Sequence, residues 1–289
     1  MQLDIFEHSR DVMLKNDVAQ ALERRDIAAA LQTRAVLAQE YPDAAGLSDL
    51  DQMISAIQKP AVRINTHDEL AHTRLWLSTS VEPAAQRVLG QRAGQVWVVP
   101  IWKNLATGAA ALPWRAQSPM DHSAALWLHI ADWAAAIMAV KTIESWRRKP
   151  APLSWMLHAN LALTGLQANL GMLAELAWIS PSRLEGVVTA VRDPLLTQLV
   201  RKFEVQFEGY ENSDDLAWLG AWALTDQPNF AAAFALAQPS NHSAPERGMR
   251  LMIELLGLER QGRHHDIVIK RKDLKDLNGA LFATYMKSR

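Results

Sequence analysis

Two histidines and an aspartate share one face of a predicted long helix and are suited to acid–base chemistry. His122, His129 and Asp132 are separated by seven and three residues, spacings that bring helical side chains together. A neighbouring carboxylate can orient an imidazole as a general base or a metal ligand. His129 and Asp132 are therefore candidate catalytic residues of a small-molecule enzyme with a site near Trp102. The alternative is a local hydrogen-bonded patch, because no cysteine and no serine in a glycine-flanked turn accompanies them.

The sequence predicts no metal or cofactor site. His67 and His72 lie five residues apart, so on a helix their directions diverge by roughly 140°. His264, His265 and Asp266 are expected in a solvated loop. The chain contains no cysteine, which excludes disulfides and thiolate ligands. No glycine-rich phosphate-binding loop of either common spacing is present.

Tryptophan is unusually frequent, with 11 in the chain. Trp97, Trp102 and Trp114 lie in a stretch that also contains Lys103 and Arg115. Such rings and cations are suited to stack on a base or to hold a peptide anchor. The three tryptophans are therefore candidate partner-binding residues, in a groove beside the following long helix. The alternative is that the rings fill gaps between alanine-rich helices and need one partner for each N–H.

The N-terminal segment Gln2-Leu3-Asp4-Ile5-Phe6 resembles the short motif by which many bacterial replication and repair proteins dock on the sliding clamp. The resemblance implies that Gln2 is a polar anchor and that Ile5 and Phe6, next to Leu3, fill an apolar pocket. It implies a DNA replication or repair accessory protein recruited through residues 2–6. The alternative is that Leu3, Ile5 and Phe6 pack against the first helix.

The charge balance argues against a general attraction to nucleic acid or to an anionic membrane. The chain has 30 Lys plus Arg and 31 Asp plus Glu, a formal net charge of -1. Lys270, Arg271 and Lys272 form a basic cluster near the C-terminus, for which a solvated face is the expected role. Nucleic-acid binding is therefore not expected.

The compartment expected from the sequence is the cytoplasm. The first eight residues contain no basic region followed by an apolar run, so no secretory signal is predicted. The best candidate for a membrane span, residues 124–140, is interrupted by His129 and Asp132. A buried helix is expected there, and no membrane contact is predicted.

Helical periodicity recurs along the whole chain and predicts an all-α fold. Helix starts are indicated by Asp26, by the pair Thr66 and Glu69, and by Asp193 before a proline. With 49% hydrophobic residues, the chain can bury a sizeable core. No alternation of strands and helices is present, which argues against a doubly wound α/β fold.

One stretch interrupts this pattern and a long helix follows it. Residues 96–102 read Val-Trp-Val-Val-Pro-Ile-Trp, a β-branched and aromatic run typical of extended chain. Gly108, Pro113 and Pro119 then indicate loops. Residues 93–119 are therefore predicted to be irregular. A continuous helix is predicted from about Asp121 to Arg148.

Several segments resemble tetratricopeptide repeats, which are two-helix units of about 34 residues with small residues at helix contacts and a terminating proline. Residues 9–42 have this length, with Ala21 and Ala29 at contact positions and Pro42 at the end. Residues 155–181 and 218–239 resemble shortened units. The resemblance implies a right-handed stack of antiparallel helix pairs, an α-solenoid with one irregular insertion.

These observations predict a domain order and a ranked set of functions. N-terminal helical repeats are expected over 1–92, the irregular segment over 93–119 and C-terminal helical repeats over 120–289, with one continuous domain as the alternative. The repeat resemblance implies a non-enzymatic scaffold that binds a protein or peptide. The enzyme near Trp102 and the clamp-recruited factor remain the alternatives.

Overall fold

The computed structural model describes residues 3–58 and 63–289, with side chains from residue 10 onward. Throughout these residues the regular elements are helices and no β-strand occurs, so the all-α prediction is confirmed. No helix in the described ranges combines the length and the apolar character needed to cross a membrane. The chain divides into two compact units, an N-terminal unit (Met1–Asp132) and a C-terminal unit (Trp133–Arg289).

The N-terminal unit contains seven α-helices within its described residues. They are α1 (Leu3–Glu23), α2 (Ile27–Glu40), α3 (Leu47–Gln58), α4 (His67–Trp76), α5 (Glu82–Leu89), α6 (Gln91–Gly108) and α7 (Ser123–His129). A π-helical turn, Leu77–Val81, joins α4 to α5. The core is formed by buried aliphatic and aromatic side chains, including Leu22, Leu37, Met53, Leu70 and Trp102.

The C-terminal unit is also helical, and its described residues include four short 3₁₀ segments between some of its helices. Its α-helices are α8 (Trp133–Lys141), α9 (Pro150–Thr164), α10 (Leu170–Ile179), α11 (Pro181–Val191), α12 (Pro194–Gln206), α13 (Leu219–Asp226), α14 (Ala231–Phe234), α15 (Ala244–Gln261), α16 (His264–Leu277) and α17 (Gly279–Lys287). The 3₁₀ segments are Trp146–Arg148, Gln167–Asn169, Ser213–Trp218 and Pro228–Phe230. A core of its own contains Leu153, Leu173, Phe203, Trp222 and Tyr285.

Side-chain caps begin the helices at the positions that the sequence indicates. The Asp26 carboxylate accepts a hydrogen bond from the Ala29 N–H at 3.0 Å. Thr66 and Glu69 form a reciprocal capping box at the start of α4. The Asp193 carboxylate accepts from the Leu196 N–H at 2.8 Å and begins α12. These three predictions are confirmed. Each cap forms because its side chain satisfies backbone N–H groups that have no partner within the helix.

The prediction of extended chain at residues 96–102 is wrong, because this run lies inside α6. Pro100 removes one backbone donor from the helix interior. The helix nevertheless continues, since Trp97, Trp102 and Leu105 lie on one side of it and are buried there. Burial of these large apolar groups outweighs the missing hydrogen bond and the low helix propensity of the run. Irregular structure begins only after Gly108 and ends at α7.

The prediction of one helix over residues 121–148 is also wrong. It is divided into α7 and α8 at Ala131, which has a φ of 57°. The Ala131 N–H bonds to the Leu128 carbonyl and the Asp132 N–H bonds to the Trp127 carbonyl, both at 3.0 Å. This is the Schellman arrangement that ends helices. Glycine usually occupies the left-handed position, so an alanine there gave no sequence signal.

Candidate functional site

Trp97 and Trp102, predicted to bind a partner, lie in the core of the N-terminal unit. Their exposed fractions are 6% and 2%. The Trp97 indole N–H donates to the Leu22 carbonyl at 2.7 Å, and the Trp102 indole N–H donates to Glu82 Oε1 at 2.8 Å. Both rings therefore do what the alternative prediction described, filling space between helices with one partner for each N–H. Trp114 is half-buried in the irregular stretch after α6.

His129 and Trp102 meet at a carboxylate that the sequence did not single out. His129 Nε2 lies 2.7 Å from Glu82 Oε1, and the His129 and Trp102 rings lie 4.5 Å apart at 58°. Glu82 begins α5, directly after the π-helical turn, a type of turn that is frequent at functional sites. When Nε2 donates to Glu82, Nδ1 is the ring nitrogen that can accept a hydrogen bond. The His129 side chain is 44% exposed. Glu82 is 47 residues from His129, so no local pattern could have indicated it.

Asp132 pairs with a cation of the same unit. Its carboxylate lies 3.9 Å from Lys103 Nζ, and that ammonium lies 5.9 Å from the centre of the Trp127 ring. The predicted helix face of His122, His129 and Asp132 does not form, since His122 precedes α7 and Asp132 follows its end. The carboxylate seen on His129 is that of Glu82.

His122 and His67 belong to a buried polar layer under the irregular stretch. The His122 ring accepts from the Ala124 N–H at 3.1 Å and caps α7, and His67 Nε2 contacts the Pro113 carbonyl at 2.8 Å. Burial, and secondarily the charge of His67, lowers the pKa of His122 to about 4. Among the residues that the structure describes, no group of three His, Asp or Glu side chains could hold a metal ion. In this layer His122 caps α7 and His67 contacts the irregular stretch.

The structure describes the residues of the proposed clamp-docking motif only in part. Gln2 lies outside the described residues, and the side chains of Leu3, Ile5 and Phe6 are among those not described. Docking on a sliding clamp therefore stays a prediction. Binding of a peptide of residues 1–10 to a clamp, lost when Gln2 and Phe6 are replaced by Ala, tests it.

The basic cluster near the C-terminus is partly paired with neighbouring carboxylates. Lys270 Nζ lies 3.0 Å from Glu254. Arg271 and Arg289 share Glu259, at 3.4 and 2.9 Å. These ion pairs lower the net positive charge that the cluster offers to a phosphate backbone.

The strongest surface candidate lies on α12, where two adjoining hollows border the exposed side of the helix. The larger hollow, about 870 Å³, lies between α11 and α12. The smaller hollow, about 260 Å³, lies on the other flank of α12. Gln198 and Lys202 line both hollows and form the ridge between them. We call the two hollows and this ridge the α12 face.

Charge is distributed unevenly on the α12 face. The larger hollow is lined by Arg192, Arg201 and Lys202 and by no acidic residue. Lys202 is paired with Asp226 at 2.7 Å. Within the described part of the chain, neither Arg192 nor Arg201 has a carboxylate within ion-pair distance. The larger hollow therefore has two exposed guanidinium groups that are available to an acidic ligand.

Apolar side chains are exposed beside these cations. Leu195 is 65% exposed and Val205 is 85% exposed, and both line hollows of the α12 face. Leu196, Leu199, Val200 and Phe203 have the spacing of one helix face in the sequence, and they are buried in α12. The outward residues had no sequence signal, because a cationic helix surface has the same composition whether or not it binds anything.

Comparison of the chain with protein-family models, with curated proteins and with solved structures gives no match.

Proposed function

We propose that this chain is a non-enzymatic scaffold that binds an acidic segment of another protein on the α12 face. The observation that carries the proposal is the charge of the larger hollow, which is lined by Arg192 and Arg201 and by no acidic residue. Arginine is enriched at protein interfaces because its planar guanidinium group binds carboxylates through two parallel hydrogen bonds. The exposed Leu195 and Val205 add apolar area next to the charge.

We also propose that the helices form a right-handed stack of antiparallel pairs, as in tetratricopeptide-like solenoids. Packing of helices that are neighbours in sequence supports this proposal: α1 packs on α2, α5 on α6, α8 on α9 and α15 on α16. Stacked helix pairs form an extended concave surface, which suits peptide binding.

The test is binding of a labelled probe peptide to the full chain, measured by fluorescence polarisation at low salt. The probe has 18 residues in a helical pattern, with a cluster of glutamates and one leucine seven residues from that cluster on the same side. A second peptide has lysine in place of every glutamate. We expect the acidic peptide to bind and the basic peptide not to bind. We expect the affinity to fall as salt is added, because the contact is made by exposed charges.

The variant Arg192→Glu/Arg201→Glu should lower the affinity for the acidic peptide about tenfold or more. Arg183→Glu/Lys272→Glu is the matched control, since it changes the net charge equally at exposed residues outside both hollows. Equal losses in the two variants would show general charge attraction and contradict the proposal. Displacement of the peptide by a 20-nucleotide single-stranded RNA at lower concentration would favour a nucleic-acid ligand instead.

Arg192→Gly separates binding from folding. Arg192 ends α11 in the left-handed region with a φ of 53°, where glycine is favoured by about 1 kcal/mol. We therefore expect the glycine variant to unfold at the same or a higher urea concentration while its affinity for the acidic peptide falls. A glycine variant that unfolds at a lower urea concentration would contradict the expected preference for glycine at this left-handed position.

An enzyme is the second candidate, and the Glu82–His129 pair favours it. The Glu82 carboxylate on Nε2 fixes the orientation of the imidazole, which a general base requires. Hydrolysis of p-nitrophenyl acetate by the full chain, compared with the His129→Gln variant, tests for an activated imidazole. A rate above that of free imidazole that is lost in the variant would support this candidate, and equal rates would argue against it.

A further inference from the structure

The smaller hollow differs in chemistry from the larger one. Its floor is apolar and is formed by Leu166, Leu199 and Phe230. Its charged pair, Lys202 and Asp226, is closed on itself by hydrogen bonds of 2.7 and 2.9 Å. Since these two charges already neutralise each other, the hollow has no unmet demand for an ionic ligand. What it offers is apolar surface.

That apolar surface continues to the rim of the smaller hollow. Leu195 lines the hollow and is 65% exposed, although it lies on the first turn of α12 beside buried core residues. Gln167 and Gln198 border the same hollow and are exposed. An apolar floor with a polar border is the arrangement that interface anchors occupy, because the border excludes water from the buried contact.

We propose that the smaller hollow holds an apolar anchor side chain, of leucine or phenylalanine size, from the acidic segment whose carboxylates pair with Arg192 and Arg201. This inference rests on the proposed function and adds the chemistry of the partner to it. The shared lining residues Gln198 and Lys202 make the two hollows neighbours on one helix. One segment that crosses the Gln198–Lys202 ridge therefore reaches both.

The geometry of α12 sets the spacing of the partner motif. The ridge that separates the hollows is one helix wide, about 10 Å with side chains. A helical segment covers about 10 Å in seven residues at 1.5 Å per residue. In a helical partner, the anchor and the acidic group therefore lie about two turns apart on the same side of the helix.

A double-mutant cycle with the full chain tests the anchor. The probe is the acidic 18-residue peptide, with its leucine placed seven residues from the glutamate cluster, and a second form has alanine in place of that leucine. The protein variant is Leu195→Gln, which removes apolar surface at an exposed position. Leu163→Gln is the matched control, since Leu163 is a 53% exposed helical leucine outside both hollows.

We expect the leucine peptide to bind about tenfold more tightly than the alanine peptide to the unaltered chain. In Leu195→Gln this ratio should fall to about threefold or less, whereas in Leu163→Gln it should stay near tenfold. Such coupling between the two changes is diagnostic of direct contact.

Three results would contradict the proposal that the smaller hollow holds an apolar anchor side chain. If both peptides bind equally and both depend on Arg192 and Arg201, the acidic interaction stands and the anchor does not. If the ratio is the same in Leu195→Gln and in Leu163→Gln, the leucine binds elsewhere. If neither peptide binds, or Arg192→Glu/Arg201→Glu has no effect, the proposed function fails and the anchor fails with it.

Discussion

At the scale of single residues, buried and half-buried polar side chains make contacts that differ from those predicted from the sequence. His122, predicted as part of a catalytic face, is instead a helix cap in which a neutral ring nitrogen accepts a backbone N–H. Glu82, which no sequence pattern indicated, is the acceptor for both Trp102 and His129. The two Glu82 contacts join residues 20 and 47 positions apart, which only the folded chain brings together.

His122 should make the stability of the protein dependent on pH. Its pKa is lowered by burial to about 4 in the folded chain, against roughly 6.5 when unfolded. The unfolded chain therefore binds the extra proton first as the pH falls. The contribution of the neutral ring is fully present above pH 6.5 and is lost progressively between pH 6.5 and 4, by about 3 kcal/mol in all.

The measurement for His122 is the free energy of urea unfolding at pH 7 and at pH 4.5. Asparagine also caps helices but does not titrate, so His122→Asn is the control. We expect the unaltered chain to lose about 2–3 kcal/mol more than the variant over this interval. Identical losses would mean that His122 remains unprotonated in both states or is not buried.

Glu82 should stabilise the N-terminal unit through the indole N–H of Trp102. In Glu82→Leu that buried N–H has no acceptor, at a cost of about 1–3 kcal/mol. Glu82→Gln keeps a neutral acceptor, and we expect it to lose less than half as much. Urea unfolding compares the two variants, and a leucine variant as stable as the glutamine variant would contradict the role of this hydrogen bond.

At the scale of elements, packing overrides local propensity. The run of residues 96–102 has the composition of a strand, yet Trp97, Val98, Trp102, Leu105 and Ala106 are buried along one helix. The spacing of these residues is helical, so a window that extended to Ala106 could have identified α6. By contrast, the end of α7 at Ala131 has no sequence signal, because the usual glycine is absent.

Close approach of α5 and α6 makes Gly94 intolerant of a side chain. A Cβ at Gly94 would lie 2.6 Å from the backbone of Ala85 and Gln86. We expect Gly94→Ala to destabilise the protein by about 1–3 kcal/mol, since backbone cannot move aside as a flexible side chain does. Thermal unfolding measures the change.

Gly186 provides the matched control for Gly94. It lies inside α11, and a Cβ there would meet nothing within 4 Å. Gly186→Ala should therefore stabilise the protein by about 0.5–1 kcal/mol, as alanine does in helix interiors. A stabilising Gly94→Ala would show that α5 and α6 pack less closely than the structure indicates.

At the scale of the whole molecule, the described residues form two hydrophobic cores. The cluster around Leu70 and Trp102 draws its residues from the N-terminal unit. The cluster around Phe203 and Trp222 draws its residues from the C-terminal unit. The proposed α12 face belongs to the second unit, and the Glu82–His129 pair belongs to the first.

The division into two cores predicts which residues lose protection from hydrogen exchange when one core is destabilised. Leu70 is fully buried, so Leu70→Ala should cost about 2–5 kcal/mol. Because every residue of its core cluster lies in the N-terminal unit, we expect faster amide hydrogen exchange mainly within residues 10–132. Mass spectrometry of exchanged peptides checks this, and an equal increase over residues 133–289 would show that the two cores unfold together.

Sequence alone determined the all-helical class, the caps at Asp26, Thr66 and Asp193, and the buried side of α12. These features depend on periodicity and on hydrogen bonds between residues three or four positions apart, which a linear pattern records. Tertiary structure alone decided the helicity of residues 96–102, the partner of His129, and the two adjoining hollows of the α12 face. Those features depend on contacts between residues far apart in the chain, and the free energy of such contacts is not present in any local window.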